Sequence, residues 1–546
     1  MPSRDAHLQF EKWARGYGPI YSLILGAKTL IVLSSDEAIK ELLDRRSNIY
    51  SHRQEIKRDM TYEADRSQGY GPTWRTYRKM IHGLLNVSAA KSYVPYQMLE
   101  NRQMLHQLLA DPEHFLQHIR RYSNALTTTM IYGWRTPTYE DDKMKQLFDG
   151  FSKFAEINQT GTAALIDFCP WLRKLPDFVL PTQKKAKELH REEKALYLGH
   201  WLTAKKAVQD STIKPCFCVG MATAQQAQDF SDDQAAYIAG TVLEAGSDTT
   251  SSTLYAFVQA MVLYADVQKR AQEEIDRVVG DTRMPTMEDE PHMPYIRCCM
   301  KETLRWMPTT ILGAVPHAVT QDDYYMGYLI PKGAGVMNNV WGVNMDPQRH
   351  PDPRRFNPDR YQDDHHGLYD SAASPDASKR DNFTFGAGRR ICQGIHVAER
   401  SLFLGMSRML WAFRFEPTTD DRGRPIVPDP DELTQGFVCM PVEFPCQITP
   451  RSQARAEMVR REWEDAEREC LDGETKQWKT VPSNEGPRRR DGEGSQYRIE
   501  QSRARSCVVN SRKVKIIQSH WQAEHNFVGE TLTLQLSREC DREKTA

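Results

Sequence analysis

The sequence predicts a mainly α-helical fold with small β-sheets. Long stretches before residue 310 repeat their apolar residues at helical spacing, and one of them, 232–265, is apolar on most faces and free of proline. Short β-branched and aromatic runs broken by Gly and Pro are confined to 20–33, 311–342 and 414–450. The 546 residues are 40% hydrophobic and 27% charged, a globular composition. With 72 Lys+Arg against 73 Asp+Glu the net charge is −1, which leaves no footprint for a nucleic-acid partner. Eleven cysteines, odd in number and irregularly spaced, point to a reducing compartment and not to a disulfide framework.

In chain order, Met1–Tyr17 carries Arg4, Asp5, Glu11, Lys12 and Arg15, which fits neither a signal peptide nor a membrane span. Ile20–Leu33, interrupted by Gly26 and Lys28, alternates like a pair of strands. Ser35 is placed to cap a helix over Asp36–Arg46. Helical periodicity covers 95–132, 184–208, 232–265 and 266–279. A helix of about 30 residues is roughly 45 Å long, enough to cross a whole domain. Residues 311–342 read as a small sheet, Asp346–Tyr361 as a Pro-rich meander, Ile395–Phe413 as a helix and 414–450 as short strands. These divisions give a catalytic body over 1–450 and a charged, largely disordered extension over 451–546. Disorder is expected at 475–512, with a weak strand pattern at Val528–Leu536.

The sharpest local pattern is Phe385-Gly386-Ala387-Gly388-Arg389-Arg390-Ile391-Cys392-Gln393-Gly394, followed by a helix. Glycines around a cysteine let the backbone fold tightly and aim amides at the sulfur. The helix N-terminus, Arg389 and Arg390 are expected to lower the thiol pKa. A thiolate there serves as nucleophile, redox centre or metal ligand, whereas an arbitrary Cys in a Gly-rich turn is more often a buried bystander. Ala245-Gly246-Ser247-Asp248-Thr249-Thr250 places an acid and an alcohol in the long apolar helix. Gly246 loosens that helix by about 1 kcal/mol relative to Ala. Thr249 is able to bond a carbonyl one turn back, so the pair reads either as a proton-delivery device or as a hydroxyl patch bonding its own helix. Glu302-Thr303-Leu304-Arg305 sets an acid and an arginine on one helical face among apolar neighbours. Glu274/Arg277 and Glu457/Arg460 share that spacing and read as solvated pairs.

Taken in this order, together with Pro358-Asp359-Arg360-Tyr361 and Trp74-Arg75-Thr76-Tyr77-Arg78, the motifs resemble the cytochrome P-450 superfamily of haem-thiolate monooxygenases across roughly residues 1–450. The resemblance implies a triangular prism with a long central helix over haem b. Cys392 matches the axial thiolate ligand of the iron, with Phe385, Gly386, Gly388 and Gly394 shaping its loop. Trp74, Arg78, Arg390 and His317 match positions that hold haem propionates. Asp248 and Thr249 match the acid–alcohol pair that relays protons to dioxygen. Glu302, Arg305 and Arg360 match a structural triad beneath the haem. Substrate-facing stretches fall at 51–70, 155–220, 238–250, 308–315 and 435–440, with Ala245, Thr310, Leu312, Ala314, Val315 and Phe437 as pocket residues. Their apolar character implies a lipophilic substrate.

The resemblance is strongest to fungal members that oxidise secondary metabolites. It implies electrons from NADPH through a flavoprotein, NADPH-cytochrome P-450 reductase, docking near Arg75, Lys79 and Arg389. It also implies a monomer with peripheral membrane contact on the cytosolic face of the endoplasmic reticulum. With no membrane anchor in the sequence, the cytosol is expected if the chain is complete. Gln393 departs from the apolar residue or Pro usual after the cysteine. Two alternatives stand beside oxygen insertion: a haem-thiolate isomerase or dehydratase, which has no use for the Asp248–Thr249 pair, and an inactive product of a truncated gene.

Overall fold

The computed structural model describes residues 4–26, 28–54, 69–157, 172, 175–176, 179–228 and 230–479. The expected strand at Val528–Leu536 and part of the expected substrate-facing stretches lie outside the described residues.

The core is built on one helix, Asp232–Leu263. Ser231 starts it with a reciprocal cap: its hydroxyl accepts from the Gln234 amide, and the Gln234 side chain accepts from the Ser231 amide. Its apolar residues are buried on almost every face. Two glycines let neighbours come close. A Cβ on Gly240 would collide with the Tyr197 ring, and one on Gly246 would lie 2.6 Å from the Thr127 hydroxyl. Gly246 therefore serves close packing against helix Phe115–Tyr132, whose Ser123 hydroxyl donates to the Gly246 carbonyl at 2.8 Å. The sequence reading of Gly246 as a point that loosens the helix misses this contact. Helix Ile395–Ala412 lies on another side, where Gly405 admits Leu254.

The strands are β1 Ile20–Leu25, β2 Lys28–Leu33, β3 His52–Arg53, β4 His317–Ala318, β5 Asp323–Tyr325, β6 Tyr328–Ile330, β7 Gly335–Asn338, β8 Phe413–Thr419, β9 Pro425–Ile426 and β10 Cys446–Pro450. The largest sheet runs β1-β2-β7-β4-β3, with β2 and β7 parallel and the other pairs antiparallel. Its β3–β4 pairing sets Arg53 opposite His317. Ser35 caps Asp36–Ile39 as expected, and a π-helical turn, Lys40–Arg45, continues it. Among the described residues no helix is long and apolar enough to cross a membrane.

The compact body continues past the boundary drawn at residue 450. Helix Gln453–Cys470 buries Ala456, Val459, Trp463 and Ala466, a single stripe at three- and four-residue spacing. Leu471 then bridges to Trp478, and Gln477 exchanges two hydrogen bonds with the Arg135 backbone. The Arg135 side chain joins Arg121 on the fully buried Glu100. Residues 475–479 thus belong to the packed body, against the disorder expected from 475 onward. Replacing Trp463 by Ala should cost about 3–5 kcal/mol. That loss would appear as a lower urea midpoint in circular dichroism; an unchanged midpoint would mean the segment only rests on the surface.

Candidate active site

The Cys392 segment is a turn that only glycine permits. Gly386 and Gly388 have φ of 73° and 60°, and a Cβ on Gly388 would strike the Leu43 carbonyl. The Cys392 amide closes the turn on the Phe385 carbonyl at 2.9 Å. Phe385 packs on the main core, and helix Ile395–Ala412 starts directly after Gly394. Gln393, the departure from the family pattern, donates to the Arg78 carbonyl at 3.0 Å and ties the turn to helix Pro72–Leu85.

Cys392 is accessible at its surface, yet enough protein surrounds it that desolvation raises the thiol pKa. The Gly394 and Ile395 amides and the Arg78 charge act the other way and do not prevail. The expected lowering by Arg389 and Arg390 does not occur, because both point elsewhere. Arg389 donates to the Tyr70 hydroxyl at 2.6 Å, and Arg390 donates to the Ser51 carbonyl at 2.9 Å. A cation bound to this sulfur would favour its ionised form, which is how a coordinating metal acts.

Beside the turn, Trp74 lies between two guanidinium groups, Arg390 at 4.5 Å and Arg78 at 5.3 Å from its ring centre. Arg53, which the sequence reading missed, joins them from β3. Burial lowers its pKa to about 10, and burial with Arg53 and Arg78 lowers Arg390 to about 9. His317 sits among them, opposite Arg53 in the β3–β4 pairing. Its Nδ1 lies 2.7 Å from the Tyr50 carbonyl, which can only accept. Burial, Arg53 and Arg390 keep the ring neutral, so Nε2 is left as an acceptor. Buried arginines, one of them lowered further by its two neighbours, suit an anionic ligand, and a thiol that burial favours as protonated suits a metal. The donor set fits an iron porphyrin with acidic side chains.

Ala245, Asp248 and Thr249 face a cavity of about 400 Å³. Its walls include Phe148, Phe151, Phe154, Phe437, Val438 and Met440, with Arg120, Glu193 and Glu244 as charged members. Thr249 donates to the Ala245 carbonyl at 2.7 Å, the back-bond expected of it. Asp248 accepts from Ser252 at 3.4 Å. Desolvation pushes its pKa up to about 6, with Arg120 and Ser252 opposing and Glu244 adding.

Of the expected pocket residues, Ala245 and Phe437 line this cavity, and Thr310, Leu312, Ala314 and Val315 do not. Thr310 donates to the Thr384 carbonyl at 3.0 Å, Leu312 packs on both the main core and the cluster around Phe10 and Tyr21, and the Val315 carbonyl accepts from Arg53. Ala314 takes a left-handed φ of 59° in the turn between them.

The three triad residues meet. Glu302 Oε1 accepts from Arg305 at 2.7 Å, the Asn357 amide at 2.8 Å and Arg360 at 3.3 Å, while Oε2 accepts from Arg305 at 2.7 Å. Glu274 departs from its reading as a solvated pair. It is buried and accepts from the Tyr295 and Ile296 amides at 3.0 and 2.9 Å, capping the helix that carries Glu302.

The packed helical body thus carries a cysteine in a glycine-rich turn with buried arginines around Trp74 beside it. The family model described as Cytochrome P450 matches residues 2–445. Cytochrome P450 monooxygenase virE of Hypocrea virens is 49% identical over 487 residues, 88% of each chain. Cytochrome P450 monooxygenase fogE of Aspergillus ruber is 48% identical, over 88% of this chain and 89% of its own. A zebra fish cytochrome P450 structure with progesterone shares the fold, with a TM-score of 0.67 at 24% identity over 83% of this chain and 100% of its own.

The chain belongs to the cytochrome P450 family. It is an oxygen-incorporating oxidoreductase of fungal secondary metabolism that uses haem and electrons supplied by a reductase. The isomerase or dehydratase alternative accordingly gives way to monooxygenation.

A group whose folded pKa is raised above its unfolded value holds its proton more tightly when folded. Ionised Asp248 thus weakens the fold at neutral pH, and the penalty disappears as pH falls through about 6 toward 4. Asp248→Asn should be more stable than the native protein above pH 6, by on the order of 2 kcal/mol, and equal to it near pH 4. Paired denaturant titrations across pH check this; a difference independent of pH would reject the assignment.

Proposed function

We propose that Cys392 supplies the thiolate that binds haem iron, and that Trp74, Arg78, Arg390 and Arg53 hold the haem carboxylates. Asp248 and Thr249 pass protons toward the reacting oxygen, and a small lipophilic molecule occupies the aromatic cavity beside them. The observation that carries this reading is the position of Asp248 and Thr249 on that cavity, in a helix packed against the one that starts after Cys392. Haem, when bound, supplies reductive activation of dioxygen, so that one oxygen atom enters a C–H bond or double bond of the substrate.

The chain's own residues do the rest. The Gly394 and Ile395 amides and Arg78 favour charge on the Cys392 sulfur. Thr249 shares the Ala245 carbonyl with the helix ladder, and this leaves its hydroxyl oxygen as an acceptor facing the cavity. Asp248, with a pKa near 6, both takes and gives a proton at neutral pH. The four phenylalanines exclude water around the substrate. The reductase docks on the face around Arg75, Lys79 and Arg389. The protein works as a monomer with peripheral contact to the endoplasmic reticulum, a placement that the family relationship supports.

Cys392→Ser should abolish the red-shifted Soret band of the reduced carbonyl complex; a band unchanged from the native protein would refute the ligand assignment. Thr249→Ala should keep that band while hydrogen peroxide released per NADPH consumed rises severalfold. Coupling as tight as the native enzyme's would remove Thr249 from the proton path.

A further inference from the structure

We infer that Arg120 anchors an acidic oxygen of the substrate, so that the molecule this cavity takes is a carboxylic acid or an acidic phenol with an apolar body. The inference rests on the proposal that the cavity is the substrate pocket. Arg120 enters the cavity from helix Phe115–Tyr132. Its guanidinium is held 4.8 Å from the Phe148 ring centre, and its one hydrogen-bond acceptor among the described residues is the Met440 thioether at 3.7 Å. Its Nε is buried with no hydrogen-bond partner. A guanidinium carries five N–H donors in a planar fork, a thioether is a weak acceptor, and buried donors left unmade are costly. The arrangement is complementary to a planar oxygen pair, which the fork meets with two parallel bonds.

The rest of the wall narrows the ligand further. Asp248, Glu193 and Glu244 also reach the cavity, and Glu244 already accepts from the Tyr197 hydroxyl. Among the described residues lining the cavity Arg120 is the one cation, so a second negative group on the ligand finds no cationic partner there. A single acidic oxygen is tolerated only at the guanidinium, so the contact orients the molecule as well as binding it. Its apolar body then falls against Phe151, Phe154 and Phe437.

The test uses the haem-loaded protein and three ligands of one shape: naphthoate, its neutral amide naphthamide, and naphthylmethyl-trimethylammonium, with affinities measured by calorimetry. The native protein should bind naphthoate about tenfold or more tightly than naphthamide, and more tightly than the cation. Arg120→Gln should bring naphthoate down to the level of the amide while the amide changes less than about twofold, and Arg120→Lys should retain part of the preference. Equal affinity of the native protein for acid and amide, tighter binding of the cation, or parallel loss of acid and amide in Arg120→Gln would overturn the inference. The native comparison needs no variant to fold. Failure of the haem-enzyme reading would be seen separately, as a native protein without the reduced carbonyl band before any ligand is added.

Discussion

Glu302 is shut off from water, and the way its carboxyl oxygens are satisfied holds the Cys392 turn in place. A buried carboxylate without partners costs several kcal/mol, so its donors are not optional. They come from its own helix, through Arg305, and from the Pro-rich meander, through the Asn357 amide and Arg360. The two arginines pass the constraint outward, Arg305 to the Asn344 carbonyl and Arg360 to those of Pro351 and Asp352. Two residues along the same helix, the Leu304 carbonyl accepts from the Thr384 hydroxyl, and the Thr384 carbonyl in turn accepts from Thr310. Thr384 immediately precedes Phe385. The ion cluster therefore has a mechanical path to the turn, ending one residue before it.

The electrostatics around that turn share one logic. Burial disfavours whichever form is charged: it raises the Cys392 thiol and lowers Arg53, Arg390 and His317. The sulfur is favoured as an anion only beside a cation, and the guanidinium groups are relieved only by an anion. A metal macrocycle with acidic side chains meets both needs at once, whereas a simple anion or a simple metal ion meets one.

What the sequence revealed depended on whether a contact was local. The Cys392 turn, the Thr249 back-bond and the Glu302/Arg305 pair involve neighbours within ten residues, and their chemistry is written in spacing. Arg53 was invisible because its place in the cationic rim follows from β3 pairing with β4, a register that the two-residue strand does not announce. Arg120 and Arg121 are adjacent, yet successive helical residues point about 100° apart. One enters the buried Glu100 network and the other faces the cavity. The contacts of the apolar run at 309–315 were not legible, because burial alone does not say against what: Leu312 packs on both the main core and the cluster around Phe10, and Thr310 donates to the Thr384 carbonyl. The stripe Ala456, Val459, Trp463 and Ala466 was legible in principle, but the density of charge around it drew the boundary at 450.

The cavity joins recognition to proton supply through a single cation. Arg120 is the largest nearby charge favouring ionised Asp248, although it forms no ion pair with it among the described residues. An acidic oxygen placed on Arg120 draws part of that field to itself and sets a second negative charge near Asp248. Both changes favour the protonated carboxyl. By linkage the same coupling works in reverse: protonation of Asp248 tightens the hold of Arg120 on the ligand. An acid-bearing substrate would thus load Asp248 with the proton that the reaction consumes. An apolar molecule of the same shape would fill the phenylalanine walls and leave the Asp248 equilibrium where burial set it.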